Sequence, residues 1–325
     1  MAIHLPVWPQ PEGSLFRGRY RMTPEDFEVV ELPAWTPLGE GEHLLVEIAK
    51  RGANTGWVAG ELARRAGCNV AEIGYCGDKD RHAVTRQWFS VRDPKQALEW
   101  HAGEGGEGWR MLQTARHDRK LRRGDHAGNR FRLRVELDAP APGSAVAKGR
   151  QRLAAGIANY FGPQRFGRDA GNLTKVQAWV DGGRLPGRGP ERGRILSSAR
   201  SFLFNEVLAA RIRTGCLTRF MLGDALMDNV PTGPLWGRGR SPLTDEALAF
   251  ESGVLEPYGR WCERLEHAGL SQERRPLLLR PSGIRVEAIA RGLELEFELP
   301  AGAFATAVLA ALGDFEDVAK RGGIA

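Results

Sequence analysis

The segment NRFRLRVEL (129–137) constrains the fold of this chain more than any other stretch. Apolar residues occupy every second position from Phe131 to Leu137, which is the period of a β-strand that buries one face. Near the other end of the chain, IRVEAI (284–289) and LELEFEL (293–299) predict an antiparallel hairpin. Strands at both ends of the chain indicate one sheet that is assembled from distant segments.

The first part of the chain predicts three further strands and one helix. DFEVVEL (26–32), HLLVEIAK (43–50) and QWFSVR (87–92) have the composition of strands. NTGWVAGELARRAG (54–67) predicts a helix, because it begins with capping residues and ends at a glycine. Short strands and a helix therefore alternate in this part.

The middle of the chain predicts mainly helix. A connector rich in Pro, Gly and Ala (138–150) leads into a helix at about 151–160. A glycine-rich basic loop (181–193) precedes an amphipathic helix that covers 198–215 and ends at a glycine. A final helix begins near residue 303, after the hairpin.

This order of elements predicts how the chain divides into domains. Residues 1–153 and 281–325 together form a mixed, largely antiparallel sheet domain, and residues 154–280 form an inserted, mainly helical α/β module. The fold class is α+β, because strands and helices are segregated along the chain. We expect a monomer, since no heptad pattern or exposed strand edge favours a dimer.

Composition predicts an ordinary globular protein of the cytoplasm, with 42% hydrophobic and 26% charged residues. The start, MAIHLPVWPQPEG, lacks the basic and apolar parts of a secretory signal, and the longest apolar run (303–312) is too short to cross a bilayer. The cysteines form no C-x-x-C pair and have no histidine at metal-ligand spacing, so we expect reduced thiols and no zinc site. They are Cys68, Cys76, Cys216 and Cys262.

Basic residues are concentrated in two blocks, which predicts a polyanionic partner. From Arg110 to Arg134 nine basic residues face two acids, and from Arg184 to Arg219 eight arginines face two acids. Arginine, which can fork onto phosphate and stack on bases, dominates with 39 residues against 7 lysines. A GC-rich genome would also explain the excess of arginine over lysine, but it does not explain the clustering.

The stretch GYCGDKDRHAVTRQWFSV (74–91) places four charged residues in a row between two flanks that look buried. Such a run is most often a solvated turn. Asp78 and Asp80 could bind a metal, although the residues after them supply no further oxygen ligands. Alternatively, Lys79 and Arg81 could hold a single carboxylate ionised, as a nucleophile or a base requires.

Six segments of this chain, in the right order, resemble motifs of the TruD family of tRNA pseudouridine synthases. The charged turn is similar to the family signature G-x-K-D-[RK]-x-A-x-T-x-Q. The segment N-Y-F-G-P-Q-R-F-G is similar to another, highly specific motif. The six segments are GDKDRHAVTRQWFSV (77–91), DFEVVEL (26–32), GNRFRL (128–133), NYFGPQRFG (159–167), RSFLFNEVLAARI (200–212) and LPAGAFATAVL (299–309).

The resemblance implies a pseudouridine synthase-like fold and the isomerisation of uridine 13 in the D-arm of tRNA to pseudouridine. It implies that Asp80 is the essential carboxylate and that Lys79 belongs to the substrate site. Substrate and product are isomers, so the reaction implies no cofactor and no metal. The absence of nucleotide-binding glycine motifs from the sequence agrees with this.

The resemblance also implies a binding site for a uridine that has left its stack. Phe27 is the family's aromatic for the flipped base, and Asn129 could hydrogen-bond the uracil edge. Phe131 lies on the same strand face as Asn129, and Phe304 corresponds to the C-terminal aromatic. Without the family, Phe27, Asn129 and Phe304 would be read as packing or turn residues.

Two alternative functions stay open at this stage. One is a tRNA-binding or tRNA-folding protein without catalytic activity on the same scaffold. The other is a metal-dependent nuclease that uses Asp78 and Asp80, which a chelator would silence. If the synthase is correct, we expect a cleft lined by tRNA between the two domains, with Asp80 at its floor.

Overall fold

A computed structural model describes residues 5–321, and the chain divides into two compact units. We call them the sheet unit and the helical unit. The sheet unit comprises Leu15–Ala154, Pro281–Gly302 and the chain from Leu312 onward. The helical unit comprises the chain up to Ser14, Ala155–Arg280 and Ala303–Ala311.

The described residues contain sixteen strands and eight α-helices. The strands are β1 (Phe16–Tyr20), β2 (Phe27–Pro33), β3 (His43–Arg51), β4 (Gly74–Tyr75), β5 (Val84–Arg92), β6 (Gly105–Gly106), β7 (Trp109–His117), β8 (His126–Leu137), β9 (Ile157–Ala158), β10 (Leu226–Met227), β11 (Val230–Leu235), β12 (Glu273–Pro276), β13 (Leu278–Leu279), β14 (Ser282–Ile289), β15 (Gly292–Pro300) and β16 (Gly313–Asp317). The helices are α1 (Thr55–Ala66), α2 (Gly143–Ala155), α3 (Gly171–Val180), α4 (Pro190–Arg213), α5 (Asp245–Leu255), α6 (Gly259–Glu266), α7 (Ala305–Leu312) and α8 (Val318–Arg321).

The sheet unit is built on one eleven-stranded sheet with the main order β14-β15-β8-β2-β5-β3-β7-β6. Neighbouring strands in it are antiparallel, except that β2 runs parallel to β5 and β1 parallel to β16. The hairpin of β14 and β15 pairs through β15 with β8, so both ends of the chain share one sheet. The predicted mixed, largely antiparallel sheet is confirmed.

The alternation that predicted β8 divides this strand into an apolar face and a charged face. Phe131, Leu133 and Val135 on its apolar face are buried. On the other face, Arg130, Arg132 and Arg134 stand directly opposite glutamates of β15 and form ion pairs with them. These arginines belong to the first cationic block, so part of its charge is neutralised within the sheet.

In the helical unit, α4 is the central helix, and it buries Phe202, Leu203 and Phe204. Asn205, on the same helix, is also fully buried and makes two hydrogen bonds to one backbone position. Its Oδ1 accepts from the N–H of Phe161 and its Nδ2 donates to the carbonyl of Phe161, both at 2.9 Å. This clamp explains why an asparagine follows the apolar run of the R-S-F-L-F-N segment: it fixes the N-Y-F-G segment to the helix.

Two boundaries that the sequence predicts are wrong. The helix predicted at 151–160 is α2, which begins at Gly143 and ends at Ala155, because the carbonyl of Pro142 accepts the first helical N–H groups. The basic loop predicted at 181–193 ends early, because Pro190 occupies the first turn of α4, where its missing N–H costs nothing. No helix in residues 5–321 combines the length and apolarity that a bilayer crossing requires.

Candidate active site

The signature turn (77–83) lies between β4 and β5 of the sheet unit. The motif residues Ala83, Thr85 and Gln87 that follow the charges are completely buried. Gln87 holds the turn from below: its Nε2 donates to the carbonyl of Gly77 at 3.1 Å. Its Oε1 accepts from the hydroxyl of Thr55 at 2.9 Å, and that hydroxyl in turn accepts from the N–H of Lys79. The turn is therefore fastened to β5 and to the start of α1.

Lys50 is a third attachment, and the sequence did not point to it. Its ammonium group is buried and donates to three backbone carbonyls, those of Ala53, Lys79 and Asp80, at 2.8, 3.3 and 3.0 Å. Burial, partly opposed by the negative charge of Asp80, lowers the pKa of Lys50 to about 8. Lys50 thus fixes the backbone of Asp80, while the side chain of Asp80 is not held by this contact.

The lowered pKa of Lys50 leads to a prediction about stability. In the unfolded chain the lysine keeps its proton up to about pH 10.4, but in the folded protein it loses the proton near 8. Between these values the unfolded state binds more protons, so the contribution of Lys50 to the free energy of unfolding rises with pH. We expect the free energy of unfolding, measured with urea, to rise in the wild type relative to Lys50→Met between pH 8 and pH 10. Parallel pH profiles of the two proteins would contradict this.

Lys79 points into the protein and pairs with Glu31. Its Nζ lies 2.7 Å from Oε2 of Glu31, and the two side chains are 5% and 0% exposed. The other oxygen of Glu31 accepts from the backbone N–H of Trp88 at 3.2 Å. This pair anchors the turn from inside the sheet. The ammonium group of Lys79 is engaged by Glu31 and not by Asp80, so the cation that faces Asp80 must be another residue.

That cation is Arg21, which no motif or charge pattern of the sequence indicated. Nη1 of Arg21 lies 3.7 Å from Oδ1 of Asp80, and its Nη2 lies 3.5 Å from Oδ2 of Asp317. The Arg21 side chain is 10% exposed, whereas that of Asp80 is 51% exposed. A buried guanidinium behind an accessible carboxylate fixes the direction of that carboxylate without closing it to a ligand.

Arg21 also connects Asp80 to Phe27. The guanidinium carbon of Arg21 lies 4.5 Å from the centroid of the Phe27 ring. Phe27 itself is 2% exposed and packs edge-to-face on Phe131, whose ring is stacked on Phe297 at 5.3 Å. Both predicted aromatics of the sheet unit are therefore buried core residues, and Arg21 covers one face of the Phe27 ring.

Asn129 lies next to Glu31 across the β2–β8 pair. Its Oδ1 is buried and accepts no hydrogen bond from any residue that the structure describes, and its Nδ2 lies 3.5 Å from Nε2 of His126. Burial and the charge of Lys79 lower the pKa of His126, so its ring is neutral at pH 7. The amide oxygen of Asn129 is therefore buried without a donor among the described residues.

One group of side chains in residues 5–321 has metal-ligand geometry: Glu31, Cys76 and His126, whose ligand atoms lie within 4.8 Å of one another. The chemistry of this group is a poor fit to a cation. The ammonium of Lys79 already bonds Glu31, and burial raises the pKa of the Cys76 thiol to about 12. Asp78 and Asp80, the pair a nuclease would use, face Arg123 and Arg21 separately.

Phe304 belongs to the helical unit, directly before α7. Its ring lies 6.2 Å from that of Phe161, and the guanidinium carbon of Arg165 lies 5.4 Å from its centroid. The structure therefore brings together Phe27, Lys79, Asp80, Asn129 and Phe131 in one unit, and it places Phe304 in an aromatic and basic cluster of the other unit.

Comparison with known structures and sequences defines the class of the fold and then the family. A crystal structure from Methanosarcina mazei, described as that of a candidate tRNA pseudouridine synthase D (TruD), superposes with a TM-score of 0.70 at 21% identity, covering 95% of this chain and 96% of the other. The predicted pseudouridine synthase-like fold is confirmed.

Other relatives are more similar in sequence than the protein of this crystal structure. Residues 12–180 match the family model for tRNA pseudouridine synthase D (TruD). Proteins named tRNA pseudouridine synthase D from Cellvibrio japonicus and Aeromonas salmonicida are 45% and 41% identical, each over 93% of this chain and over 91% and 92% of their own lengths. The chain belongs to the TruD family.

Proposed function

We propose that this protein is a tRNA pseudouridine synthase that isomerises uridine 13 in the D-arm of tRNA, with Asp80 as its essential carboxylate. The family and the names of the relatives support the activity. The observation that carries the role of Asp80 is the contrast within the signature turn. Lys79 is buried against Glu31 and Asp78 pairs with the exposed Arg123, whereas the half-exposed carboxylate of Asp80 is backed by Arg21, whose side chain is only 10% exposed.

The reaction requires an accessible carboxylate and no added group. The N1–C1′ bond breaks, the uracil turns, and C5 bonds to C1′ while the proton of C5 moves to nitrogen, so that atoms and electrons balance without a cofactor. Asp80 acts at C1′, at C6 or on a ribose proton, and each of these roles needs the carboxylate in contact with a uridine that has left its stack.

The other site residues follow from the geometry and from the family motifs. Asn129 offers its unpartnered Oδ1 to the N3–H of uracil. Phe27, supported by Phe131, stacks on the base once Arg21 leaves its ring. Lys79 serves the site by holding Glu31 and the turn, and Phe304 corresponds to the C-terminal aromatic of the family motif. We further propose that the protein acts as a monomer in the cytoplasm and needs no metal.

Arg21 is a positioning residue in this account, since it acts through Asp80. Arg21→Gln should lower kcat about 2- to 5-fold, the range that an ion pair of roughly 0.5–1 kcal/mol with a half-exposed carboxylate implies. Arg21→Lys should recover most of the loss, because it restores the charge near Asp80. Equal loss in both variants, with unchanged thermal unfolding, would contradict this role.

Mapping pseudouridines in RNA from cells with and without this protein tests the proposed function. We expect one pseudouridine, at position 13 of a subset of tRNAs, to depend on the protein and on Asp80. Two alternatives predict other results. A non-catalytic tRNA-binding protein would keep its cellular effect in Asp80 variants, and a metal-dependent nuclease would lose activity in EDTA, which should leave the isomerisation unchanged.

A further inference from the structure

Two arginines of the helical unit converge on one aromatic ring. The guanidinium carbon of Arg275 lies 4.4 Å from the centroid of Phe161, and that of Arg165 lies 5.3 Å from the same centroid. Arg165 also lies over Phe304 at 5.4 Å, and Arg275 lies over Phe204 at 5.7 Å. Two cationic planes are therefore held in place by three phenylalanine rings.

The positive charge of Arg165 is not balanced by an acid among residues 5–321. Burial and the positive charge of Arg165 lower the pKa of Arg275 to about 10, and burial lowers the pKa of Arg165. Nη2 of Arg275 donates to the amide oxygen of Asn159 at 2.6 Å, which is a neutral acceptor. Within residues 5–321 the guanidinium of Arg165 has no hydrogen-bond or ion-pair partner, and its Nε is buried.

Two other arginines of the same unit have acidic partners. Arg274 forms a bidentate pair with Glu251, with contacts of 2.7 and 2.9 Å, and Arg211 pairs with Asp224. A buried guanidinium without a carboxylate is costly unless an anion completes it. Arg165 therefore stands out as a preformed but incomplete anion site, and the neighbouring charge of Arg275 increases its attraction for an anion.

We propose that Arg165, reinforced by Arg275, binds a phosphate group of the RNA backbone. A planar guanidinium matches two phosphate oxygens, and the rings of Phe161 and Phe304 hold its plane, so little side-chain entropy is lost on binding. Both arginines are only partly buried, and Nη1 and Nη2 of Arg165, unlike its Nε, are not among the buried unpaired atoms. The chemistry of the pair selects an oxyanion; the choice of RNA rests on the proposed function.

The test is the salt dependence of tRNA binding by the full-length protein. Each phosphate contact contributes roughly 0.7–0.9 to the slope of log K against log salt concentration. Arg165→Gln should lower the magnitude of this slope by about that amount. It should also raise the dissociation constant for tRNA on the order of tenfold near 0.15 M salt. Arg165→Lys should keep the slope and recover part of the affinity, because it keeps the charge but not the fork.

Arg260→Gln is the matched control, since it removes one positive charge from the same unit. Arg260 is 70% exposed and lies 3.5 Å from Asp181, so its loss should leave the slope of the wild type. An affinity loss in Arg165→Gln with an unchanged slope would show that Arg165 only packs, and it would overturn the proposal. An equal change of slope in Arg260→Gln would overturn it as well.

Binding and turnover separate this inference from the proposed function. If the slope changes as expected but the wild type makes no pseudouridine, the phosphate site stands and the proposed function fails. If pseudouridine forms and the slope of Arg165→Gln equals that of the wild type, the proposed function stands and the phosphate site fails. Thermal unfolding of each variant shows whether it is folded before binding is measured.

Discussion

Asp80→Asn is expected to abolish pseudouridine formation, with kcat falling by at least roughly a thousandfold, as for the loss of an essential nucleophile or base. The amide keeps the size of the side chain, and the backbone of residue 80 remains held by Lys50. Binding of tRNA should therefore stay within about threefold of the wild type. Single-turnover assays with labelled tRNA measure the chemical step, and filter binding measures the affinity.

Asp78→Asn is the matched control for this variant. Asp78 lies two residues away in the same turn, its side chain is 60% exposed, and it pairs with Arg123 at 3.0 Å. If a single working carboxylate is the correct reading of the turn, Asp78→Asn should turn over at a rate close to that of the wild type. Comparable rates in Asp80→Asn and the wild type would remove Asp80 from the mechanism, and a comparable loss in both variants would favour a two-aspartate site.

Lys79→Met is expected to destabilise the protein by about 3–5 kcal/mol, the range for breaking a buried ion pair by removing one partner. The cost arises because Glu31 is left buried without its counter-charge, at 0% exposure of its side chain. Urea unfolding at neutral pH measures this effect. The double variant Lys79→Met/Glu31→Gln should recover a large part of the loss, since it removes the stranded charge.

Arg92→Met provides the comparison on the surface of the same unit. Arg92 and Glu42 are 3.2 Å apart, but their side chains are 54% and 46% exposed, and such pairs contribute roughly 0–1 kcal/mol. A loss for Lys79→Met as small as that for Arg92→Met would show that the interior pair does not hold the signature turn.

The sequence predicted those parts of the fold that depend on local pattern. The alternation at 129–137 became β8, and the two alternating runs near the end became the β14–β15 hairpin. The helix predicted at 54–67 is α1, and Gly67 ends it in the left-handed conformation at φ 64°. In each case the signal lies within one segment, where periodicity or a glycine decides the outcome.

The partners of the charged side chains could not be predicted in this way. Adjacency suggested Lys79 and Arg81 as the cations beside Asp80, but β5 pairs with β2, and this pairing places Lys79 against Glu31. The cation at Asp80 comes from Arg21, which follows β1 directly and is far away in the sequence. Such a contact depends on strand order, which local patterns do not contain.

The density of basic residues along the chain predicted only in part where unpaired positive charge lies. Much of the first cationic block is paired with acids of the sheet unit, several of them on β15. In contrast, Arg165, which stands alone in its motif, has an unpartnered guanidinium among the described residues. A count of basic residues therefore overestimates the unpaired positive charge of the first block and overlooks the single unpaired guanidinium of Arg165.

The most direct test of the central claim uses purified protein and a tRNA transcript with uridine at position 13. Site-resolved mapping should find one pseudouridine, at position 13, in the wild-type reaction with EDTA present. The same reaction should yield none with Asp80→Asn, and none with a transcript that carries cytidine at position 13. Pseudouridine at another position, or product formed by Asp80→Asn at the wild-type rate, would contradict the assignment of this reaction to this carboxylate.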